Sequence, residues 1–244
     1  MQRRPGEADI VPFGVGDYTA TEAARLLKTS PRTILRWLAG YRYRRADGRQ
    51  ATAPPLWRPQ IPRLGQELEI GFHDLIELRF VLAFLSRGVA LNVVRRCLEN
   101  ARRMLGEERP LSTHRFRTDG KSIFLDSVAE ESAATVSAGS SMSLVDLKSN
   151  QLVFRQVIEQ TFKDLDVSDG SVTQWRPYRG KPSIVIDPKR SFGKPIASSS
   201  GAPTAALAQA VASEGSLARV ARLYDMPAPA VSDAVVFERL LMAA

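Results

Sequence analysis

Two helix-start signals lie so close together near the N-terminus that they dictate what this part of the chain becomes. Thr19-Ala20-Thr21-Glu22 reads as a capping box, in which the Thr19 hydroxyl accepts a backbone N–H and the Glu22 carboxylate reaches back. Ser30 is a second N-cap, followed by Pro31 at the first helical position, where a missing N–H costs nothing. The first helix is therefore short. Ala23, Ala24, Leu26 and Leu27 face a core, and Lys28-Thr29-Ser30 closes it. Ile34, Leu35 and Leu38 are expected on the buried side of the second helix, with Trp37 as a further core residue. Two short helices joined by a turn of about three or four residues form a helix-turn-helix.

Gly40 to Gly71 differs in kind. Gly48, Gly65, Pro54, Pro55, Pro59 and Pro62 interrupt it, with Trp57 and two tyrosines among basic residues. Short strands and turns fit such a stretch and a helix does not, so a wing is expected here. Charge is concentrated in the same place. The net charge is +8, yet residues 1–125 hold 22 Lys/Arg against 13 Asp/Glu, and residues 126–244 hold 12 against 13. Residues 25–63 carry ten bases and one acid, Asp47. Such a stretch repels itself unless a polyanion is present. From charge alone a solvated basic face is an equal reading; the helix-turn-helix beneath it points to DNA.

Groove recognition needs exposed side chains that fork onto base edges and phosphates. On the second helix the candidates are Ser30 at the cap, Arg32, Thr33 and Arg36, with Arg32 and Arg36 four apart on one face. On the wing they are Arg42, Tyr43, Arg44 and Arg45, and beyond it Arg58. Alternating Arg and Tyr supplies charge for phosphates and planar faces for sugars, though a solvent-exposed strand edge shows the same alternation.

A long helix is expected from His73 or Asp74 to Gly88. Its apolar arc, Leu75 to Leu85, is wider than one core face needs, so part of it is expected to meet a second surface. The next helix spans about Leu91–Leu105, with Leu91, Val94, Leu98, Ala101 and Leu105 inward and Arg95, Arg96, Arg102 and Arg103 outward. From Ser112 the period becomes two, and Asp119-Gly120 between Arg115–Thr118 and Ser122–Leu125 reads as a β-hairpin. Residues 127–143, rich in Ala and Ser, read as a loop or linker. A helix over Phe154–Leu165 and strands at Val172–Trp175 and Ser183–Ile186 follow, then helices at Thr204–Glu214, Ser216–Tyr224 and about Pro229–Leu241. The fold class expected is mainly α with short β elements (α+β). The units expected are a flexible arm (1–17), a winged helix-turn-helix (18–110), a hairpin, linker and helix segment (111–180), and a helical C-terminal domain (181–244).

Several chemistries lack their residues. Cys97 is the lone cysteine, so no intramolecular disulfide can form, and it is expected to pack in or near the core. His73, His114 and Cys97 share no metal-ligand spacing. Asp225, Asp233 and Glu238 read as helix caps or solvated acids rather than a magnesium site. No nucleotide-loop or nucleophile-elbow motif occurs. No apolar run approaches a membrane span, and Gln2-Arg3-Arg4-Pro5 leads into no apolar signal core. A cytoplasmic protein without enzyme activity, cofactor, metal or membrane contact is expected.

Tyr18-Thr-Ala-Thr-Glu-Ala-Ala-Arg-Leu-Leu through Thr33-Ile-Leu-Arg-Trp-Leu, with Ser86-Arg87-Gly88-Val89 further on, resembles a MerR-type winged helix-turn-helix over about residues 18–106. Where the MerR pattern usually has an Arg two residues after the helix Thr, this chain has Leu35, with Arg36 next to it. Ser183-Ile-Val-Ile-Asp-Pro-Lys-Arg-Ser-Phe-Gly-Lys-Pro-Ile and Ser216-Leu-Ala-Arg-Val-Ala-Arg-Leu-Tyr, then Val231-Ser-Asp-Ala-Val, are similar to domain-of-unknown-function family 433. The loop Ala197–Gly201 lacks the Gly-Thr-Arg often found there. That family occurs in antitoxins paired with PIN-like ribonuclease toxins in VapBC-type modules. The two resemblances imply an antitoxin that binds such a toxin and represses its operon by binding double-stranded DNA. A stand-alone MerR-like regulator responding to a small ligand is the alternative. A homodimer is expected, held by the Leu75–Leu85 arc or by the C-terminal domain. Toxin contact is expected among Leu217, Val220, Tyr224, Val235 and Phe237, divided between core and interface.

Overall fold

The structure is a computed structural model that describes residues 14–45, 47–62, 67–135 and 144–243. Strand β1 (Tyr18–Thr19) leads into α1 (Ala20–Leu27) and α2 (Pro31–Ala39). Both start signals act as expected. Thr19 Oγ1 accepts from Glu22 N at 3.2 Å, and a Glu22 carboxylate oxygen accepts from Thr19 N at 2.9 Å. Ser30 Oγ accepts from Thr33 N at 3.1 Å. Ile34, Trp37 and Leu38 fill the buried side of α2, at the one-turn spacing of a single face. Leu35, expected there too, is instead 38% exposed, because it is rotated about 100° from Ile34.

Strands β2 (Tyr41–Arg44) and β3 (Gln50–Ala53) pair antiparallel from Tyr41↔Ala53 to Arg44↔Gln50 and form the expected wing. Strand β4 (Glu69–Ile70) pairs with β1 and leads into α3 (Phe72–Ser86). Phe72, Leu75, Ile76, Leu78, Phe80, Val81 and Phe84 are all buried. Most of the arc expected to meet a second surface is covered by the chain itself, with Leu82 and Leu85 left half-buried. Phe80 packs on Phe162 with ring centroids 5.1 Å apart, and Phe84 stacks on Phe124 at 5.2 Å. Helix α4 (Leu91–Leu105) has the expected ends and stripe, closed by Gly106 in the left-handed region.

The expected hairpin is absent. Residues 114–135 form one helix, α5 (His114–Thr135), with Asp119-Gly120 in its interior. Thr113 Oγ1 accepts from Phe116 N and starts it. Phe116, Gly120, Ile123, Phe124 and Ser127 then form one buried face. Gly120 is needed there because a Cβ would sit 2.8 Å from the Phe116 ring. Helical packing thus uses the glycine that a turn would have used. The segment expected as a linker is helical as far as Thr135, and residues 136–143 of it lie outside the described residues. Helix α6 (Leu144–Phe162) starts ten residues before the Phe154 expected.

Strands β5 (Leu165–Ser168) and β6 (Ser171–Trp175) form a hairpin, and Trp175 exchanges backbone hydrogen bonds with Ile186. A large core runs from Tyr18 to Ile186. Strands β7 (Ile184–Val185) and β8 (Ile196–Ala197) pair ahead of α7 (Thr204–Glu214), α8 (Leu217–Leu223) and α9 (Ala228–Met242). These three helices close a small core of their own around Leu207, Val220, Met226, Val231 and Ala234.

The C-terminal helices are pinned to the first helix of the helix-turn-helix. Phe237 packs edge-on against Tyr178, with Leu26 and Leu241 beside them. The buried Tyr18 hydroxyl donates to Gly193 O at 2.6 Å, and Asp17 N donates to Phe192 O. Lys194 Nζ lies 2.7 Å from Glu22 and also donates to Asp17 O.

Candidate nucleic-acid interface

The expected DNA-contact residues, Arg58 apart, fall on α2 with its cap and on the wing that follows it. Arg32 and Arg36 are exposed on α2, and Thr33 is half-buried. The Ser30 and Thr33 hydroxyls lie 2.8 Å apart, so the cap and the first turn are tied together. The Arg36 guanidinium sits over the Tyr41 ring at 4.1 Å and joins α2 to the first residue of the wing. Strand pleating sends Arg42 and Arg44 to one face of β2 and Tyr41 and Tyr43 to the other. Arg45 follows, exposed, in the turn. Among the described residues the Arg49–Asp47 contact, at 4.0 Å, is the one ion pair of this region. Arg32, Arg36, Arg42, Arg44 and Arg45 form none. Arg58 stands apart, exposed in the loop beyond the wing.

The residues that hold this surface in place were missed by the sequence reading. Arg95 and Arg102, expected to point outward, are half-buried and reach back to the loop behind the wing. Arg95 Nη1 donates to Pro54 O at 2.9 Å, and Arg102 Nη2 donates to Leu56 O at 2.6 Å. Arg109 Nη2 donates to Arg58 O. The spacing of seven between Arg95 and Arg102 is the signal that could have revealed that pair, since residues seven apart share a helix face. Arg96 and Arg103 also have partners, Glu131 and Asn100 respectively.

Beneath the loop lies Asp74, fully buried, which accepts from Trp57 Nε1 at 2.9 Å and Gln60 N at 2.7 Å. Glu77, one turn on, accepts from Ser112 N at 2.7 Å. Burial pushes its carboxyl up to about 8. Cys97 sits in the core as expected, its thiol pushed up to about 12 by burial.

The five C-terminal candidates do not share a surface. Leu217 is 39% exposed, Tyr224 and Val235 are half-buried, and Val220 and Phe237 are interior. Burial therefore takes Val220 and Phe237 out of direct contact with a partner. Exposed apolar side chains that the sequence reading did not single out are Leu223, at 68%, Val236 and Leu240. Of the nearby bases, Arg219 is paired with Glu214 at 3.1 Å. No helix among the described residues is long and apolar enough to cross a membrane.

Residues 17–98 match a family described as "Putative DNA-binding HTH domain". Over 191 residues, 78% of this chain and 80% of the relative, the sequence is 24% identical to the Mycobacterium tuberculosis protein named "Putative antitoxin VapB45". A crystal structure of Rv2018 from Mycobacterium tuberculosis shares the fold, with a TM-score of 0.65 at 23% identity over 92% of this chain and 100% of that one. The chain thus carries an N-terminal helix-turn-helix, matched over residues 17–98 by that DNA-binding family description, within a mainly α fold, and its sequence is similar over most of its length to the protein named "Putative antitoxin VapB45".

Proposed function

We propose that this chain is the antitoxin of a VapBC-type module. In this reading it binds and neutralises a PIN-like ribonuclease toxin. It also represses its own operon by binding double-stranded operator DNA in the cytoplasm. No catalysis, cofactor or metal is assigned to it. The observation that carries the reading is the cationic surface of α2 and the wing, which among the described residues is free of ion pairs apart from Arg49, with the Arg36–Tyr41 contact joining its two parts. A recognition helix places the residues of its first turns on base edges, and α2 offers Arg32, Thr33 and Arg36 there. The order helix-turn-helix, two-stranded wing, then the α3–α4 pair supports a MerR-like arrangement.

The likeness to the protein named "Putative antitoxin VapB45" covers 78% of the chain, more than the helix-turn-helix alone, which supports a toxin site as well. Residues 181–244 are assigned to it, since a small domain leaves apolar surface for a partner to cover. Leu217 joins Leu223, Val236 and Leu240 as contact residues, with Tyr224 and Val235 at their edge. A homodimer is proposed because one recognition helix reads a short half-site. With most of the α3 arc covered within the monomer, the dimer contact is assigned to the C-terminal helices.

A chain ending near Lys181 tests the division. It is expected to bind operator, more weakly if the dimer is lost, and to stop co-purifying with the product of the adjacent reading frame. Retention of toxin with loss of DNA reverses the two halves. Because the cut also removes Gly193 and Phe237 from the joint, Leu223→Asp with Leu240→Asp in the full chain repeats the test without it.

One observation favours the second reading, a ligand-responsive regulator. A cavity of about 250 Å³ lies between α1 and the C-terminal domain, lined by Tyr18, Arg25, Leu26, Lys194, Pro203 and Leu241. A ligand there would bear directly on the helix-turn-helix. Operator affinity that changes with a small molecule, and an adjacent gene for efflux or metabolism, would favour it.

A further inference from the structure

A groove of about 500 Å³ lies between α5 and α6, remote in sequence from both surfaces assigned above. Arg117 and Lys121, one turn apart on α5, line one side; Lys148 and Arg155 on α6 line the other. Among the described lining residues Glu159 is the single acid, 3.9 Å from Arg155. Lys121 and Lys148 have no ion pair among the described residues. The lining is also apolar: Leu152 is 45% exposed between the two α6 cations, with Phe154 and Ile158 deeper.

We propose that this groove docks an acidic, amphipathic helical segment of a partner protein. Helix-in-groove recognition places apolar anchors at one-turn spacing on an apolar floor, and charge complementarity fixes the register. Leu152, Phe154 and Ile158 supply the floor, and four cations against one acid supply the complement. A second copy of this chain does not fit, because a two-fold contact would lay the cationic patch on itself. A single-stranded nucleic acid fits less well. Its bases stack on exposed aromatic faces, and the aromatic ring here, Phe154, is buried beneath an exposed leucine. The proposal does not depend on the DNA and toxin assignments.

The experiment uses the full chain and a synthetic helical peptide with Leu at one-turn spacing and Glu on its other positions, labelled for fluorescence anisotropy. Binding is expected, falling about tenfold or more with Lys121→Glu plus Arg155→Glu, as loss of complementary charge requires. Leu152→Asp is expected to weaken it as well, while Arg42→Glu plus Arg44→Glu on the wing leaves it unchanged. A peptide with Lys for Glu is expected not to bind. Thermal melting accompanies each variant. For any variant that does not fold, a photo-crosslinking peptide on the unaltered protein takes its place and is expected to label residues 117–121 and 148–159. The proposal is overturned by no binding, by crosslinks elsewhere, by loss on the wing variant, or by equal binding of the Lys peptide. It is also overturned if a mixed-sequence RNA strand outcompetes the peptide and the groove variants abolish the RNA binding.

Discussion

Arg109 donates through Nε to Asp74 Oδ1 at 2.6 Å, and the same arginine holds Arg58 O through Nη2. Asp74 has no exposed surface, and Trp57 and Gln60 depend on it as well. One carboxylate thus gathers α3, the loop behind the wing and the segment after α4. Removing one partner of a buried pair typically costs about 3–5 kcal/mol, because the other charge stays buried alone. Arg109→Ala is expected to lower unfolding stability by that order in urea titration and to weaken operator binding without touching DNA. Unchanged stability would mean that Asp74 is not dependent on Arg109.

On the proposed DNA surface, Arg36→Ala is expected to cost about 1–3 kcal/mol of operator affinity, through lost contact and a loosened Tyr41. Arg239→Ala, on the exposed side of α9, is expected to change little. If about five arginines meet phosphates, log K falls with log salt at a slope of roughly −4 to −5. Anisotropy titrations across salt concentration check both; equal affinities for the two variants would contradict the assignment of α2.

Glu77 gives stability a pH dependence. Its carboxyl is raised from 4.5 to about 8 in the fold by burial. Below pH 4.5 it is protonated in both states and costs nothing. Between 4.5 and 8 the folded form retains a proton that the unfolded form releases, so this contribution is lost as pH rises. Above 8 no further loss follows. The slope in that window approaches about 1.4 kcal/mol per pH unit. Glu77→Gln is expected to flatten it, gaining most over the parent at pH 8 and above. Parallel stability curves for parent and variant would contradict the shift.

The α5 assignment separates two neighbouring residues. Asp119 is exposed within the helix, so Asp119→Ala is expected to be neutral or to gain up to about 0.7 kcal/mol of helix propensity. Gly120→Ala drives a methyl into the Phe116 ring and is expected to cost about 1–3 kcal/mol. A hairpin turn would lose stability at both positions. Denaturant midpoints of the two variants decide between the two structures.

What the sequence determined by itself was whatever a few consecutive residues can satisfy among themselves. The Thr19–Glu22 box, the Ser30-Pro31 start, and the Gly106 and Gly215 stops of α4 and α7 all close hydrogen bonds within about one helical turn. Those elements, and the exposed Arg32, Arg36, Arg42 and Arg44, could be read without a fold. Tertiary structure decided the rest, because it turned on which faces found partners far along the chain. Asp119-Gly120 is a turn signal in isolation; burying Phe116 and Phe124 against Phe84 and Phe154 outweighs it and makes a helix. The apolar arc of α3 looks surplus until α5 and α6 cover most of it. Arg95 and Arg102 look like solvated charges until the loop carbonyls that they hold, about forty residues earlier, are placed beside them. The groove between α5 and α6 has no local signature, since its cations become neighbours only when two helices pack.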